Sequence, residues 1–147
     1  MADVTNLISG FTDFQKQFFG ASSDLAERLR SGQNPQALLI GCCDSRVDPA
    51  LLTASNPGDL FVLRNIANLV PPYVKNDDYH GVSSTIEYAV CHLEVSDIIV
   101  MGHSSCGGIG ALLESAEGEP VGEFIGNWVN IAATARDKVM QEMPDAT

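Results

Sequence analysis

Two short apolar runs, each followed by residues that can bind a metal ion, constrain this chain more than any other feature. One run covers residues 38–40 and is followed by Cys42. The other covers residues 98–101 and is followed by His103 and Cys106. Both runs have the length and branching of a fully buried strand. If the strands are parallel neighbours, their carboxyl ends bring the three side chains together where open α/β sheets bind ligands.

Two cysteines and one histidine form the ligand pattern of a catalytic zinc ion. Three protein ligands leave the fourth position of tetrahedral zinc open, whereas a structural zinc usually has four protein ligands. A lone cysteine after a strand, or a His-x-x-Cys pair by itself, is common in protein cores. Their coincidence at two strand ends favours the metal interpretation. The sequence therefore predicts one zinc ion per chain, held by Cys42, His103 and Cys106.

Two charged residues directly after the first predicted ligand are candidates for proton chemistry. Asp44 and Arg46 flank Ser45 in the segment that follows Cys42. A carboxylate held by a guanidinium group stays ionised and can still accept a hydrogen bond. We therefore expect Asp44 to orient the attacking water and Arg46 to hold Asp44.

The rest of the chain alternates apolar strands with helical segments, which predicts an α/β fold with a small parallel sheet flanked by helices. Strands are predicted over residues 37–41, 60–64 and 97–102. Helices are predicted over residues 4–19, 23–30, 83–93, 107–115 and 122–143, with a helical turn opened by Asp48 and Pro49. The first helix carries an apolar stripe that something must cover: Val4, Leu7, Ile8, Phe11, Phe14, Phe18 and Phe19.

Length and charge narrow the class of protein. A chain of 147 residues suits one domain, residues 1–147, with a real core. Its net charge of -11 repels nucleic acids and anionic lipid surfaces, so neither is an expected partner. No apolar stretch approaches the roughly 20 residues of a membrane helix. The acidic amino terminus resembles neither a secretory signal nor a transit peptide, so a cytoplasmic protein is expected.

The remaining cysteines and histidines have no comparable context. Disulfides are not expected in a chain of this length and apolar content. Cys43 and Cys91 are interpreted as packing residues, and His80 and His92 as loop and helix-surface residues.

These motifs together resemble the β-class carbonic anhydrases, from Phe11 to about Met140. Residues 42–46 are similar to the family's Cys-x-Asp-x-Arg element, and residues 102–108 to its second zinc element. Residues 33–35, 61–73 and 86–90 resemble the branch that includes the plant enzymes.

The resemblance implies zinc-dependent interconversion of carbon dioxide and bicarbonate, with Asp44 and Arg46 as the catalytic dyad. It also implies a substrate pocket formed by Gln33, Phe61, Ile66, Tyr88 and the backbone amide of Gly107. Several of these residues are expected to reach in from a neighbouring subunit. The family forms obligate dimers, often associated further, with the N-terminal helix across the partner. Such a homodimer, or a higher homo-oligomer, would cover the phenylalanine stripe.

Two other functions remain open at this point. Hydrolysis of CS2 or COS could use the same zinc scaffold, and a non-catalytic binding or scaffold protein could retain the fold. Members of the resembled branch also continue past the last helix with another strand and further helices. This chain is therefore expected to be a C-terminally shortened form or a fragment, in which the strand over residues 97–102 has an exposed edge.

Overall fold

A computed structural model describes residues 3–19, 24–116, 118 and 121–143. The chain forms two compact units, Met1–Asn34 and Pro35–Thr147. The first unit contains helices α1 (Val4–Phe19) and α2 (Asp24–Arg30). The second contains three strands, β1 (Ala37–Cys42), β2 (Leu60–Asn65) and β3 (Asp97–Met101). Its helices are α3 (Pro49–Thr53), α4 (Gly81–Glu87), α5 (Gly107–Ala116), α6 (Ile125–Val129) and α7 (Ala133–Glu142).

The three strands form one parallel sheet in the order β2-β1-β3. The central strand β1 is buried at every residue, as expected for a strand with neighbours on both sides and helices nearby. The register places Cys42 opposite Asn65 and Gly41 opposite Met101. The carboxyl ends of all three strands therefore lie side by side. The predicted α/β fold with a small parallel sheet is confirmed.

Strand β3 is an edge strand in the described part of the chain, because it pairs with β1 alone. Its apolar side chains are about half exposed, at 49% for Ile98, 45% for Ile99 and 56% for Val100. An exposed apolar edge of this kind can pair with or pack against another chain. The predicted exposure of this strand is therefore observed.

Two small clusters of buried side chains pack at the sheet. One contains Leu38, Ile40 and Ala89, with Phe61 packed against it. The other contains Cys42, Ala67 and Cys106. Because two predicted zinc ligands belong to the second cluster, the core and the candidate site share the same residues.

Two predicted helices, those over residues 83–93 and 122–143, differ from the helices in the structure. The predicted helical turn is confirmed, because the Asp48 carboxylate accepts the first N–H groups of α3. The predicted helix over residues 83–93 begins at Gly81 and continues from Tyr88 to His92 as a π-helical turn.

The predicted continuous helix over residues 122–143 is wrong. A 3-10 turn over Asn130–Ala132 separates α6 from α7. On one side, the Trp128 indole N–H donates to the Ile66 carbonyl at 2.7 Å, and on the other Arg136 donates to the Leu112 carbonyl at 3.1 Å. The two halves dock on different neighbours, and this tertiary constraint overrides the helical periodicity.

The cysteine predictions are only partly correct. All four cysteines are free, as expected. Cys43 and Cys91, however, are exposed, so their interpretation as packing residues is wrong. Cys43 follows the last residue of β1, where the chain leaves the buried strand, and Cys91 lies in the π-helical turn. His80 and His92 lie before and at the end of the same helical region, half-buried and exposed respectively.

Helix α1 has an amphipathic sequence but no buried residue. Val4, Leu7, Ile8 and Phe11 are each more than half exposed. The Phe14 ring lies 4.9 Å from the Phe18 ring along the same helix. Within the described ranges, no helix is both long and apolar enough to cross a membrane.

Gly108, in the first turn of α5, packs against the turn formed by residues 66–68. A Cβ atom at Gly108 would lie 2.7 Å from the Ile66 Cγ2 atom and 2.8 Å from the Ala67 Cβ atom. Ala67 has a left-handed φ of 62°, so this turn has little freedom to move away. Gly110 lies in the same helix, and a Cβ there would meet nothing within 4 Å.

We therefore expect Gly108→Ala to lower the free energy of unfolding by about 1–3 kcal/mol, the usual effect of overpacking. Gly110→Ala should be neutral or stabilising by up to about 1 kcal/mol, because alanine favours the helix. Urea unfolding of both variants measures the difference. Equal free energies of unfolding would show that close packing at Gly108 does not matter.

Candidate metal centre

The structure brings the three predicted ligands together at the carboxyl ends of β1 and β3. The donor atoms of Cys42, His103 and Cys106 all lie within 4.8 Å of one another. The two sulfur atoms are 3.9 Å apart. Tetrahedral zinc with Zn–S bonds of about 2.3 Å would hold two sulfur atoms about 3.8 Å apart. The spacing and the chemistry of this donor set therefore fit one zinc ion.

The imidazole of His103 is oriented as a metal ligand requires. Its Nδ1 atom lies 2.9 Å from the Ser104 carbonyl oxygen. Because a carbonyl can only accept, Nδ1 carries the proton, and the neutral ring then presents an unprotonated Nε2 atom. Nε2 is buried and has no hydrogen-bond partner. A buried polar atom without a partner is unfavourable, and a metal ion beside the two sulfur atoms would satisfy it.

The surroundings of Cys42 favour its thiolate. Burial opposes ionisation, but hydrogen bonding, foremost from the backbone N–H of Asp44, outweighs it and lowers the Cys42 pKa to about 7. The Asp44 nitrogen lies 3.4 Å from the Cys42 sulfur atom. Since the thiolate is the form that binds metal, this environment prepares Cys42 for coordination at neutral pH. Cys106 directly precedes the amino end of α5, where the helix dipole favours negative charge.

Asp44 and Arg46 form the paired carboxylate and guanidinium that the sequence predicts. The Arg46 backbone N–H and Nε both donate to Asp44 Oδ1 at 2.9 Å, and Nη2 donates to Oδ2 at 2.7 Å. These hydrogen bonds hold the pKa of the Asp44 carboxyl well below its usual range. Asp44 is therefore ionised at neutral pH. It is not among the donor atoms of the three-residue metal group.

Arg46 also connects the two segments that carry the ligands. Its Nη2 atom donates to the Ser105 carbonyl at 3.1 Å, so one guanidinium contacts both Asp44 and the loop between His103 and Cys106. Ser105 has a left-handed φ of 52°, which is uncommon outside glycine. This link holds the carboxylate beside the donor group.

Ile66, one of the predicted pocket residues, lines a cavity in the unit Pro35–Thr147. The cavity has a volume of about 680 Å³, and Cys43, Phe124 and Trp128 are among its other lining residues. Ile66 precedes Ala67, which belongs to the cluster with Cys42 and Cys106. The cavity is largely apolar, and the three predicted metal ligands are not among its lining residues.

The other predicted pocket residues are not among the residues that line the cavity of Ile66. Gly107 begins α5 directly after Cys106. The rings of Phe61 and Tyr88 lie 5.8 Å apart, and Phe61 packs against the cluster of Leu38, Ile40 and Ala89. Neither ring lines the cavity that contains Ile66. Gln33 belongs to the unit Met1–Asn34 and is exposed.

Arg64 contacts the site, although sequence reasoning did not single it out. Its guanidinium donates to the Cys42 and Asp44 carbonyls and pairs with the Asp48 carboxylate. The available signal was an arginine at the end of an apolar strand, where an unpaired charge is unfavourable.

A parallel α/β sheet with a Cys-His-Cys donor group and an arginine-bound carboxylate at its carboxyl edge has the features of a zinc enzyme's active site. Comparison with known proteins agrees with this description of the site. The carbonic anhydrase family model matches residues 37–147. The chain is 45% identical over 133 residues to a carbonic anhydrase of Pseudomonas aeruginosa strain PAO1. That match covers 90% of this chain and 59% of the relative, so the chain spans less than two thirds of the relative's length.

Solved structures give the class within that family. The β-carbonic anhydrase CcaA superposes with a TM-score of 0.86 at 37% identity, over 99% of this chain and 70% of that chain. A tetrameric β-carbonic anhydrase of Sordaria macrospora superposes with a TM-score of 0.74 at 35% identity, over 98% of this chain and 66% of that chain. The chain therefore belongs to the β-carbonic anhydrase family, and the resemblance inferred from its motifs is confirmed.

The donor geometry predicts that Cys42→Ser, His103→Ala and Cys106→Ser each lose bound zinc, because each removes one of three ligands. Cys91→Ser is the matched control, since Cys91 is an exposed free cysteine outside the donor group. Zinc per chain after dialysis is the measurement. Near-stoichiometric zinc in any of the three ligand variants would remove that residue from the ligand set.

Proposed function

We propose that this protein is a zinc-dependent carbonic anhydrase that interconverts carbon dioxide and bicarbonate. The observation that carries the proposal is the three-residue donor group beside a carboxylate held by Arg46, in a chain of the β-carbonic anhydrase family. Cys42, His103 and Cys106 would hold one zinc ion per chain. Zinc in such a site supplies a nucleophile near neutral pH by lowering the pKa of water.

Asp44 would orient the attacking water through one oxygen atom. Its Oδ1 already accepts two hydrogen bonds from Arg46, whereas Oδ2 accepts one. An ionised carboxylate oxygen has two lone pairs, so Oδ2 retains capacity to accept an O–H group. Because Arg46 keeps Asp44 ionised, the carboxylate accepts this hydrogen bond and does not donate to the nucleophile. The geometry of the dyad thus supports the proposal that Asp44 orients the nucleophile.

Ile66 would provide an apolar wall for carbon dioxide, which has no net charge or dipole. Ile66 is 41% exposed and lines a largely apolar cavity, so it is available to a substrate. The backbone amide of Gly107, which begins α5 directly after Cys106, would donate to a substrate oxygen. We propose that Gln33, Phe61 and Tyr88 complete the pocket of a neighbouring subunit. This accounts for the absence of Phe61 and Tyr88 from the cavity that Ile66 lines in one chain.

A homodimer or larger assembly fits the exposed apolar surfaces. Tyr88 is 46% exposed, and α1 has no buried residue despite its apolar stripe. Large exposed apolar surfaces are typical of interaction sites. The Sordaria macrospora relative is described as tetrameric. We propose that α1 lies across a partner subunit and that the assembly places the second set of pocket residues.

The first test is a stopped-flow assay of carbon dioxide hydration on zinc-loaded protein, together with zinc analysis. We expect hydration that depends on zinc. The same preparation is tested for sulfide release from CS2 and COS. Sulfide release with negligible hydration would replace the proposal with a CS2 or COS hydrolase. A zinc-loaded protein without either activity would favour the non-catalytic alternative.

Asp44→Asn should keep zinc and lose about 100-fold or more in kcat, the range for removal of a positioned proton-handling group. The amide keeps the size of the side chain but removes its charge and half of its acceptor capacity. Asp137→Asn is the matched control, because Asp137 also pairs with an arginine, Arg136, at 2.7 Å. A rate near that of the wild type for Asp44→Asn between pH 7 and pH 9 would contradict the assigned role.

A further inference from the structure

Residues 42–48 run from the last residue of β1 to the start of α3 and carry one predicted ligand and the proposed catalytic carboxylate; we call them the ligand loop. One side chain from the neighbouring strand β2 contacts it at three points. Arg64 Nε donates to the Cys42 carbonyl at 2.8 Å, and Nη2 donates to the Asp44 carbonyl at 2.7 Å. Nη1 lies 3.0 Å from Asp48 Oδ2. The start, middle and end of the loop are therefore all bound by the same guanidinium.

Only an arginine can make these three contacts together. Its planar group carries five N–H donors in a fixed arrangement, whereas a lysine ammonium is a compact charge on a flexible stem. The Arg64 side chain is 26% exposed, so its hydrogen bonds are partly shielded from water. Partial burial makes them stronger than surface ion pairs of the same length. The three contacts therefore restrain the backbone of the ligand loop.

Arg64 and Arg46 hold different parts of Asp44. Arg46 binds the carboxylate, while Arg64 binds the backbone carbonyl. The same carbonyl accepts the Val47 N–H at 3.1 Å, so it belongs to the turn that places Arg46. Moving this carbonyl would move the carboxylate and its guanidinium partner together.

Asp48 anchors the far end of the loop to both neighbouring elements. Its Oδ1 accepts the Ala50 and Leu51 N–H groups at the start of α3, and its Oδ2 accepts from Arg64. One carboxylate therefore connects the helix cap with the guanidinium. The loop cannot shift without breaking either the cap or the ion pair.

We propose that Arg64 is a positioning residue for the reaction, which acts by fixing the backbone of the ligand loop so that Asp44 stays in its place beside the metal ligands. This inference rests on the proposed function. Arg64 is not a catalytic residue, because its described contacts are with two backbone carbonyls and Asp48. Arg64 affects catalysis by positioning Asp44. A residue that only stabilises the fold would affect the rate independently of Asp44.

The test compares Arg64→Gln and Arg64→Lys with Arg136→Gln in zinc-loaded protein. Arg136 is the matched control, because it is also a partly buried arginine that donates to a backbone carbonyl, that of Leu112. We expect Arg64→Gln to lower kcat roughly 10–100-fold, the usual effect of losing a group that orients the inner residues of a metal site. KM should change little, since Arg64 contacts no substrate. The kcat of Arg64→Lys should lie between those of Arg64→Gln and the wild type. The kcat of Arg136→Gln should equal that of the wild type.

A double-mutant cycle separates positioning from general destabilisation. If Arg64 acts through Asp44, adding Arg64→Gln to Asp44→Asn should cause no further loss of kcat, because the group that it positions is already impaired. Losses that multiply would overturn the proposal, since they would show that the two residues act independently. The zinc content of each variant is measured alongside, so that loss of metal is not mistaken for loss of positioning.

Hydrogen exchange gives a readout that needs no activity. The Arg46 and Val47 amides are bonded to Asp44, so their exchange should accelerate in Arg64→Gln and not in Arg136→Gln. If the wild-type protein hydrates no carbon dioxide, the proposed function fails. The hydrogen-exchange comparison still decides in that case whether Arg64 holds the ligand loop. Unchanged exchange would overturn the positioning role. If Arg64→Gln does not fold, Asp48→Asn keeps the helix-cap oxygen, removes the ionic acceptor, and should accelerate the same two amides.

Discussion

The parallel pairing of β1 with β3 is the constraint on which the candidate site depends. Cys42 ends one strand, and His103 follows the other by two residues, so neither segment contains the site alone. The register, with Gly41 opposite Met101, makes the two ends level. A shift of one residue would turn the following side chains to the other face of the sheet. The buried central strand therefore determines the geometry of the donor group as well as the core.

The site is also part of the hydrophobic core, so folding and metal binding should be coupled. Cys42, Cys106 and Ala67 form one buried cluster, and the His103 Nε2 atom beside them lacks a hydrogen-bond partner. Two thiols and an unsatisfied imidazole contribute little to a core by themselves. Zinc would turn these polar atoms into ligands, and its binding free energy would then stabilise the folded chain.

Arg46 and Arg64 each bind a different part of Asp44. Arg46 pairs with the ionised Asp44 carboxylate and connects it to Ser105 in the second ligand segment, whereas Arg64 binds the Asp44 backbone carbonyl. This arrangement allows Asp44 to be exact in position and still ionised, which a single ion pair would not ensure. In a chain of net charge -11, these guanidinium groups also place positive charge close to Cys42 and Asp44.

The sequence alone predicted the parallel sheet, the metal-binding group and the paired Asp44 and Arg46. Apolar runs followed by Cys42, His103 and Cys106 predicted the parallel sheet and the metal group, because strand ends in such sheets are adjacent. Asp44 and Arg46 are two residues apart, so their pairing is local and was predictable as well. The break between α6 and α7, the exposure of Cys43 and the contacts of Arg64 were not. Arg64 is 22 residues from Cys42, and only the pairing of β2 with β1 brings its guanidinium to that carbonyl. Local sequence determined which groups are available, and tertiary structure decided which distant partners they meet, because those contacts depend on register and packing.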